Sequence, residues 1–138
     1  SLTCDISKPE GQAIIKELVS KSDVLVENFK SGTLNKYGLN IEELRKINSD
    51  IIYCSISAYG NKSSRKTEPG YDAMIQASAG LMSITGEKQG NPQKVGVAIS
   101  DIMAGMYAAT AILGSLFQRQ KTGISQDLNV PLYDRQVE

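Results

Sequence analysis

The chain has 138 residues, 41 % hydrophobic and 22 % charged, a globular composition that argues against disorder. Its 15 Lys and Arg balance 15 Asp and Glu, so it lacks the basic excess that usually marks a nucleic-acid-binding domain. It holds no His and only two Cys, which excludes histidine triads, histidine metal sites, four-cysteine zinc sites and a disulfide framework within the chain. Leu2 to Ile6 alternates apolar and polar residues and predicts a strand. Ser7-Lys8-Pro9-Glu10 follows as a helix start, with Ser as N-cap and Pro in the first turn, and Ala13, Ile14, Leu18 and Val19 form one stripe of that helix. Asp23 to Val26 predicts a second strand, and Asn40 caps a helix running to about Ile47. Ile51 to Ile56 is β-branched and nearly all apolar, as a central parallel strand is.

Residues 57–70 form a polar loop of 14 residues, a length that is often functional. A helix is predicted from Tyr71 to about Met82, a polar loop from Gly86 to Lys94 and a strand from Val95 to Ile99. Ser100-Asp101 then reads as the cap of an apolar helix. Ile102 to Phe117 carries no charge, falls short of the roughly 20 residues that span a bilayer, and has Gly105, Ala108, Ala109 and Gly114 for close packing. It reads as a helix buried on all sides, with no membrane partner. Lys121-Thr122-Gly123 ends it, Ser125 to Val130 is a further strand and Pro131 opens another helix. This β-α alternation predicts an α/β fold: a Rossmann-like, mainly parallel sheet with helices on both faces. Phosphate- and dinucleotide-binding glycine motifs and the GxSxG elbow are absent. Cys4 and Cys54 sit in apolar runs and read as buried, reduced thiols, which suits an intracellular setting. The chain opens without a secretory leader or Met and ends just inside a helix, as a piece of a longer protein does.

Ligands of parallel sheets collect at the carboxyl ends of strands. Two such ends carry chemistry here. Glu27 to Gly32 places an amide, an aromatic ring, a cation and a glycine within six residues, a cradle for an aromatic, anionic ligand or simply a capped turn. Asp101 stands where a strand hands over to the apolar helix. Unpaired amides and the helix dipole there favour an ionised carboxylate, which suits a carboxylate nucleophile as well as a plain N-cap.

At these residues the sequence resembles the family III CoA-transferases. Glu27-Asn28-Phe29-Lys30-Ser31-Gly32-Thr33-Leu34 is similar to the family's E-N-F-[RK]-x-G-x-L. Asp5 to Gly11, Ser55 to Gly60, Pro69 to Asp72, Gly80 to Gly86, Val97 to Asp101 with Gly105, and Lys121 to Gly123 match further family blocks in order. The resemblance implies that residues 1–138 are part of the large domain of an interlocked-dimer fold, lacking its N-terminal portion, small domain and C-terminal portion. It implies transfer of CoA between an acyl-CoA thioester and a free carboxylic acid, a dicarboxylate such as succinate or glutarate. Asp101 would be the catalytic residue, forming a mixed anhydride and then an aspartyl-CoA thioester. Asn28, Phe29, Lys36, Tyr37 and Cys4 would line the CoA site, and Tyr71 would stand near the acyl group. No metal or permanently bound cofactor is implied, since CoA and acyl-CoA are substrates. A homodimer and a mitochondrial address for the longer protein rest on the resemblance alone. Two features depart from it or from its other branches. Ser7 stands where the family has Lys, with Lys8 one place later, and Tyr71 stands where the racemase branch has His. The competing readings are a racemase-type member using Tyr71 and Asp72, and a truncated form without activity.

Overall fold

The computed structural model describes residues 1–137. Their sheet has three strands, β1 (Val24–Glu27), β2 (Ile52–Ser57) and β3 (Asp127–Pro131), all parallel in the order β1-β2-β3. β2 is central: Val26 of β1 faces Cys54, and Cys54 faces Leu128 of β3. The helices are α1 (Pro9–Ser20), α2 (Ile41–Arg45), α3 (Asp72–Ser78), α4 (Ile99–Thr122) and α5 (Leu132–Val137). They cover both faces of the sheet, as the sequence predicts. Successive residues of β2 point to opposite faces. Tyr53 joins one buried cluster with Val19, Leu34, Leu39, Leu44 and Ile51, beneath α1 and α2. Cys54 joins the other with Ile75, Ala104, Ala108, Val130 and Leu132, beneath α3, α4 and α5.

Two predicted strands are corrected. Leu2 to Ile6 is not a strand, although its letters alternate. Asp5 Oδ1 accepts hydrogen bonds from Ser7 N (2.9 Å) and Ser7 Oγ (2.7 Å), which turns the chain into α1. Ser7 is thereby drawn away from capping. The N-cap is Lys8, with Pro9 first in the helix and no side-chain cap. Val95 to Ile99 is likewise not a strand. Val95 N donates to Gln76 Oε1 (2.9 Å) and Ile99 N to Val97 O (2.9 Å), so a side-chain amide and a tight turn use the groups a ladder would need. The helix predicted from Tyr71 to Met82 stops at Ser78. Gly80 has φ +91°, which ends the helical run, and a short 3₁₀ turn over Leu81–Ile84 follows.

The apolar helix is also corrected. α4 is buried at Ser100, Ala104, Ala108 and Ser115, a stripe at helical spacing, while Ile102, Met106, Leu113 and Phe117 are exposed. A Cβ added at Gly105 or Gly114 would meet no atom within 4 Å, so close packing falls to Ala104 and Ala108. By length and composition α4 could cross a bilayer, and here its inner stripe packs on β2 and β3. Its far end matches expectation: Gly123 N donates to Arg119 O at 2.8 Å. Arg119 ties that end to the segments entering β1 and β2, donating to Asp50 O (2.7 Å) and pairing with Asp23.

Candidate active site

A cleft of about 560 Å³ opens at the carboxyl ends of β1 and β2, where parallel sheets bind ligands. The turn after β1 supplies Asn28 and Phe29, the long loop after β2 supplies Lys66 and Glu68 to Tyr71, and the first turns of α4 supply Asp101 and Ala104. The structure therefore brings Asn28, Phe29, Tyr71 and Asp101 together. Glu27 orders the first turn, its Oε2 accepting from Phe29 N at 2.8 Å. The 14-residue loop is held by Arg65, which donates to Tyr59 Oη (2.8 Å) and pairs with Glu68 (2.8 Å). At Gly70 an added Cβ would lie 2.6 Å from the Ala58 side chain, so only glycine lets the loop cross β2's end and present Tyr71. Tyr71 is 77 % exposed.

Lys36, Tyr37 and Cys4 are placed outside this cleft. Lys36 and Tyr37 lie on a 3₁₀ turn over Leu34–Tyr37, Lys36 exposed and Tyr37 half-buried against the Val19–Leu44 cluster. Their neighbour Asn35 lines a second cavity, of about 570 Å³, which shares Lys30, Ser31 and Lys66 with the cleft. Cys4 is half-buried, its thiol donating to Gly11 O at 3.3 Å in α1's first turn.

Asp101 is the third residue of α4, not its cap. The N-cap is Ala98, which has no side-chain acceptor. The amides of the second and third helical positions, which an N-cap side chain ordinarily takes, are taken by Asp72 from α3. Asp72 Oδ1 accepts from Ser100 N at 2.8 Å and from Asp101 N at 3.4 Å. This reverses the electrostatic expectation for Asp101. Asp101 is exposed at the cleft mouth; partial removal from water, and then the adjacent Asp72 charge, push its carboxyl above the usual aspartate value. The sequence reading placed Asp72 in a motif block and missed this role, because the acceptor and the helix it caps lie 28 positions apart. The signal available was negative: a long apolar helix preceded by Ala98 needs an acceptor from elsewhere.

A carboxylate in a cleft beside an aromatic ring, a phenol and lysines is equipped to attack an electrophilic acyl carbon and to bind an anionic substrate. The sequence profile of CoA-transferase family III matches residues 1–138. The chain belongs to that family. It is 43 % identical over 136 residues to a succinate–glutarate CoA-transferase of Agrobacterium fabrum, covering 99 % of this chain and 34 % of that protein. It is 42 % identical over 137 residues to the succinyl-CoA:glutarate CoA-transferase of Homo sapiens, covering 99 % of this chain and 31 % of that one. Its fold is similar to a CAIB/BAIF family protein from Brucella suis, with TM-score 0.97 and 43 % identity over 99 % of this chain and 36 % of that chain. This family III chain thus spans about a third of the length of the curated relatives it matches.

Proposed function

We propose that this chain carries the nucleophile-bearing part of an enzyme that moves CoA between an acyl-CoA thioester and a dicarboxylate of the succinate or glutarate kind. The observation that supports it is the family III chain's one α4 carboxylate, Asp101, standing in the cleft with Asn28, Phe29 and Tyr71.

In this reading an Asp101 oxygen attacks the thioester carbonyl carbon. The C–S bond breaks, CoA leaves as thiolate, and a mixed anhydride of Asp101 and the donor acid forms. The thiolate then attacks the Asp101 carbonyl carbon, releasing the donor acid as carboxylate and leaving an aspartyl-CoA thioester. The acceptor carboxylate attacks that same carbon and expels thiolate, which attacks the acceptor's carbonyl in the new anhydride and frees Asp101. Each step exchanges one anion for another, so no proton transfer is required. A carboxylate serves because it is both an adequate nucleophile and a good leaving group. Partial desolvation and the Asp72 charge raise its basicity, and hence its reactivity once ionised. Phe29 offers an aromatic face and the lysines of the cleft offer charge for CoA. Lys36, Tyr37 and Cys4 would meet its more distant parts. The same reading carries a homodimeric, mitochondrial intact protein, with these residues in its large domain.

The racemase reading is less well supported. It needs two groups free to exchange a proton with carbon. Asp72, its nominal base, is only 9 % exposed and accepts hydrogen bonds on both carboxylate oxygens.

The test is acyl exchange between succinyl-CoA and glutarate by the intact protein. Asp101→Asn is expected to lower kcat by at least about 10³-fold while the protein stays folded. Hydroxylamine added during turnover is expected to convert Asp101 to its hydroxamate, read by peptide mass spectrometry. Full activity in Asp101→Asn would remove the proposal.

A further inference from the structure

Asp72 and Gln76 are buried polar groups that the mechanism above does not use. Gln76 and Ser100 are fully buried, and Asp72 nearly so. Asp72 Oδ2 accepts from Gln76 Nε2 at 2.6 Å, while its Oδ1 holds the Ser100 and Asp101 amides. The other end of the Gln76 amide accepts from Val95 N at 2.9 Å, and its Nε2 also reaches Val97 O at 3.3 Å. Ser100 Oγ donates to Gln136 Oε1 of α5 at 2.6 Å. The segment entering α4 is therefore gripped from α3 at four backbone groups, those of Val95, Val97, Ser100 and Asp101, and from α5 at one hydroxyl.

Burying a carboxylate is costly, and hydrophobic packing would close this space more cheaply. A charged group retained here takes amides that a simple N-cap Ser or Asn at position 98 could have taken locally. The difference is directional. A local cap lets the helix start move with its own loop. A cap from α3 ties the start of α4 to the helix that begins immediately after Tyr71, so the two cleft groups Tyr71 and Asp101 are set relative to each other.

We propose that Asp72, backed by Gln76, is a positioning residue that fixes the Asp101 carboxylate in the cleft through the first amides of α4. The proposal rests on Asp101 being the nucleophile. The charged and titratable groups that share the cleft with Asp101 are Lys30, Lys66, Glu68, Tyr71 and Asp72. Of these, the charge of Asp72, adjacent through the α4 amides, acts against ionisation of Asp101. Two effects therefore follow from one residue. Asp72 holds the carboxylate in place, and it delays its ionisation as pH rises.

The experiment measures kcat, KM and the pH profile of acyl exchange in the intact protein for Asp72→Ala, Asp72→Asn and Asp101→Asn, with folding checked by circular dichroism. Asp72→Ala loses the acceptor and is expected to lower kcat about 10²-fold, the effect of misplacing a reacting group by about 1 Å, with KM changed less than about threefold. Asp72→Asn keeps an acceptor oxygen for the amides and loses the charge together with the Gln76 Nε2 bond, which its own NH2 cannot accept. It is expected to recover most of kcat and to move the acidic limb of the profile to lower pH, because Asp101 then ionises more readily. A merely structural Asp72 would lower the folded fraction and leave kcat per folded molecule in place, whether or not the limb moves. That result, with Asp101→Asn inactive, overturns the positioning role and leaves the nucleophile standing. An active Asp101→Asn removes the nucleophile reading itself. If Asp72→Ala does not fold, Gln76→Ala, which strips Asp72 Oδ2 of its partner, is read instead, and an unchanged kcat per folded molecule there overturns the proposal.

Discussion

The two faces of the sheet are closed in different ways. Under α1 and α2 the cluster is mainly aliphatic, with Leu39, Leu44 and Ile51 filling the space beside Tyr53. Under α4 the inner stripe is small, Ala104 and Ala108 with Ser100 and Ser115, and the polar groups Asp72, Gln76 and Gln136 hold the helix start. Aliphatic packing is non-directional: it stabilises a face without fixing any one atom against another. Hydrogen bonds fix angles, and they are strongest when a charge takes part. The aliphatic face supports the sheet, and the polar face aims a side chain. The outward residues of α4, Ile102, Met106, Leu113 and Phe117, belong to neither cluster.

The sharpest way to break this comparison is to damage the aliphatic face and look for a chemical effect. Leu44 is fully buried beneath the sheet and away from the cleft. Leu44→Ala is expected to cost about 2–5 kcal/mol of stability, since the removed methyls leave a cavity that relaxes only in part. Urea unfolding of the intact protein measures it. The kcat of the molecules that remain folded is expected to stay within about twofold of the parent. A 10²-fold fall would mean that packing on this face also aims Asp101, and the division between the faces would be lost.

Ala104 sharpens the comparison from the other side. It is buried against the sheet and also lines the cleft, one turn along α4 from Asp101. Ala104→Leu is expected to cost about 1–3 kcal/mol through overpacking. Because the same side chain enters the cleft, kcat/KM for acyl-CoA is expected to fall about tenfold beyond what unfolding explains, read from steady-state kinetics.

The same contrast decides what was legible in the sequence. β2 was readable because its residues face two packed clusters, so apolar letters dominate, and β1 and β3 each carry apolar residues that pack beside it, Leu25, Leu128 and Val130. Asn40 as the cap of α2 was readable because capping there is local: its Oδ1 accepts from Glu43 N, three residues on. The end of α4 at Gly123 was readable for the same reason. What failed depended on distant partners. Leu2 to Ile6 has strand letters, but a strand exists only beside another edge, and Asp5 turns the chain instead. Val95 to Ile99 failed because a glutamine 19 positions earlier takes the amide of Val95. In the site, Asn28 and Phe29 follow β1 as a strand-end reading expects, Tyr71 was placed by the resemblance alone, and the strand expected to lead into Asp101 is absent. The electrostatic push on Asp101 also runs opposite to the expected direction. Its position on a helix suggested a free positive end, and the structure shows those amides occupied by Asp72.

The smallest expected effect concerns a link that belongs to neither packing scheme. Arg45 of α2 reaches Asp127 at the start of β3, with Nη2–Oδ1 at 2.7 Å and Nη1–Oδ2 at 3.4 Å. The two-pronged geometry is favourable. Both side chains are nevertheless a third or more exposed, at 34 % and 51 %, so water screens their attraction. A double-mutant cycle over Arg45→Ala and Asp127→Ala, read by urea unfolding, is expected to give a coupling of about 0.2–1 kcal/mol. Raising salt from about 0.01 M to 1 M shortens the screening length from about 30 Å to about 3 Å, and the coupling is expected to shrink with it. A coupling above about 2 kcal/mol, insensitive to salt, would show that the ion pair is desolvated and that the aliphatic face is locked at its rim by directional contacts as well. The contrast between the two faces would then be one of degree, because both would use charge to fix geometry.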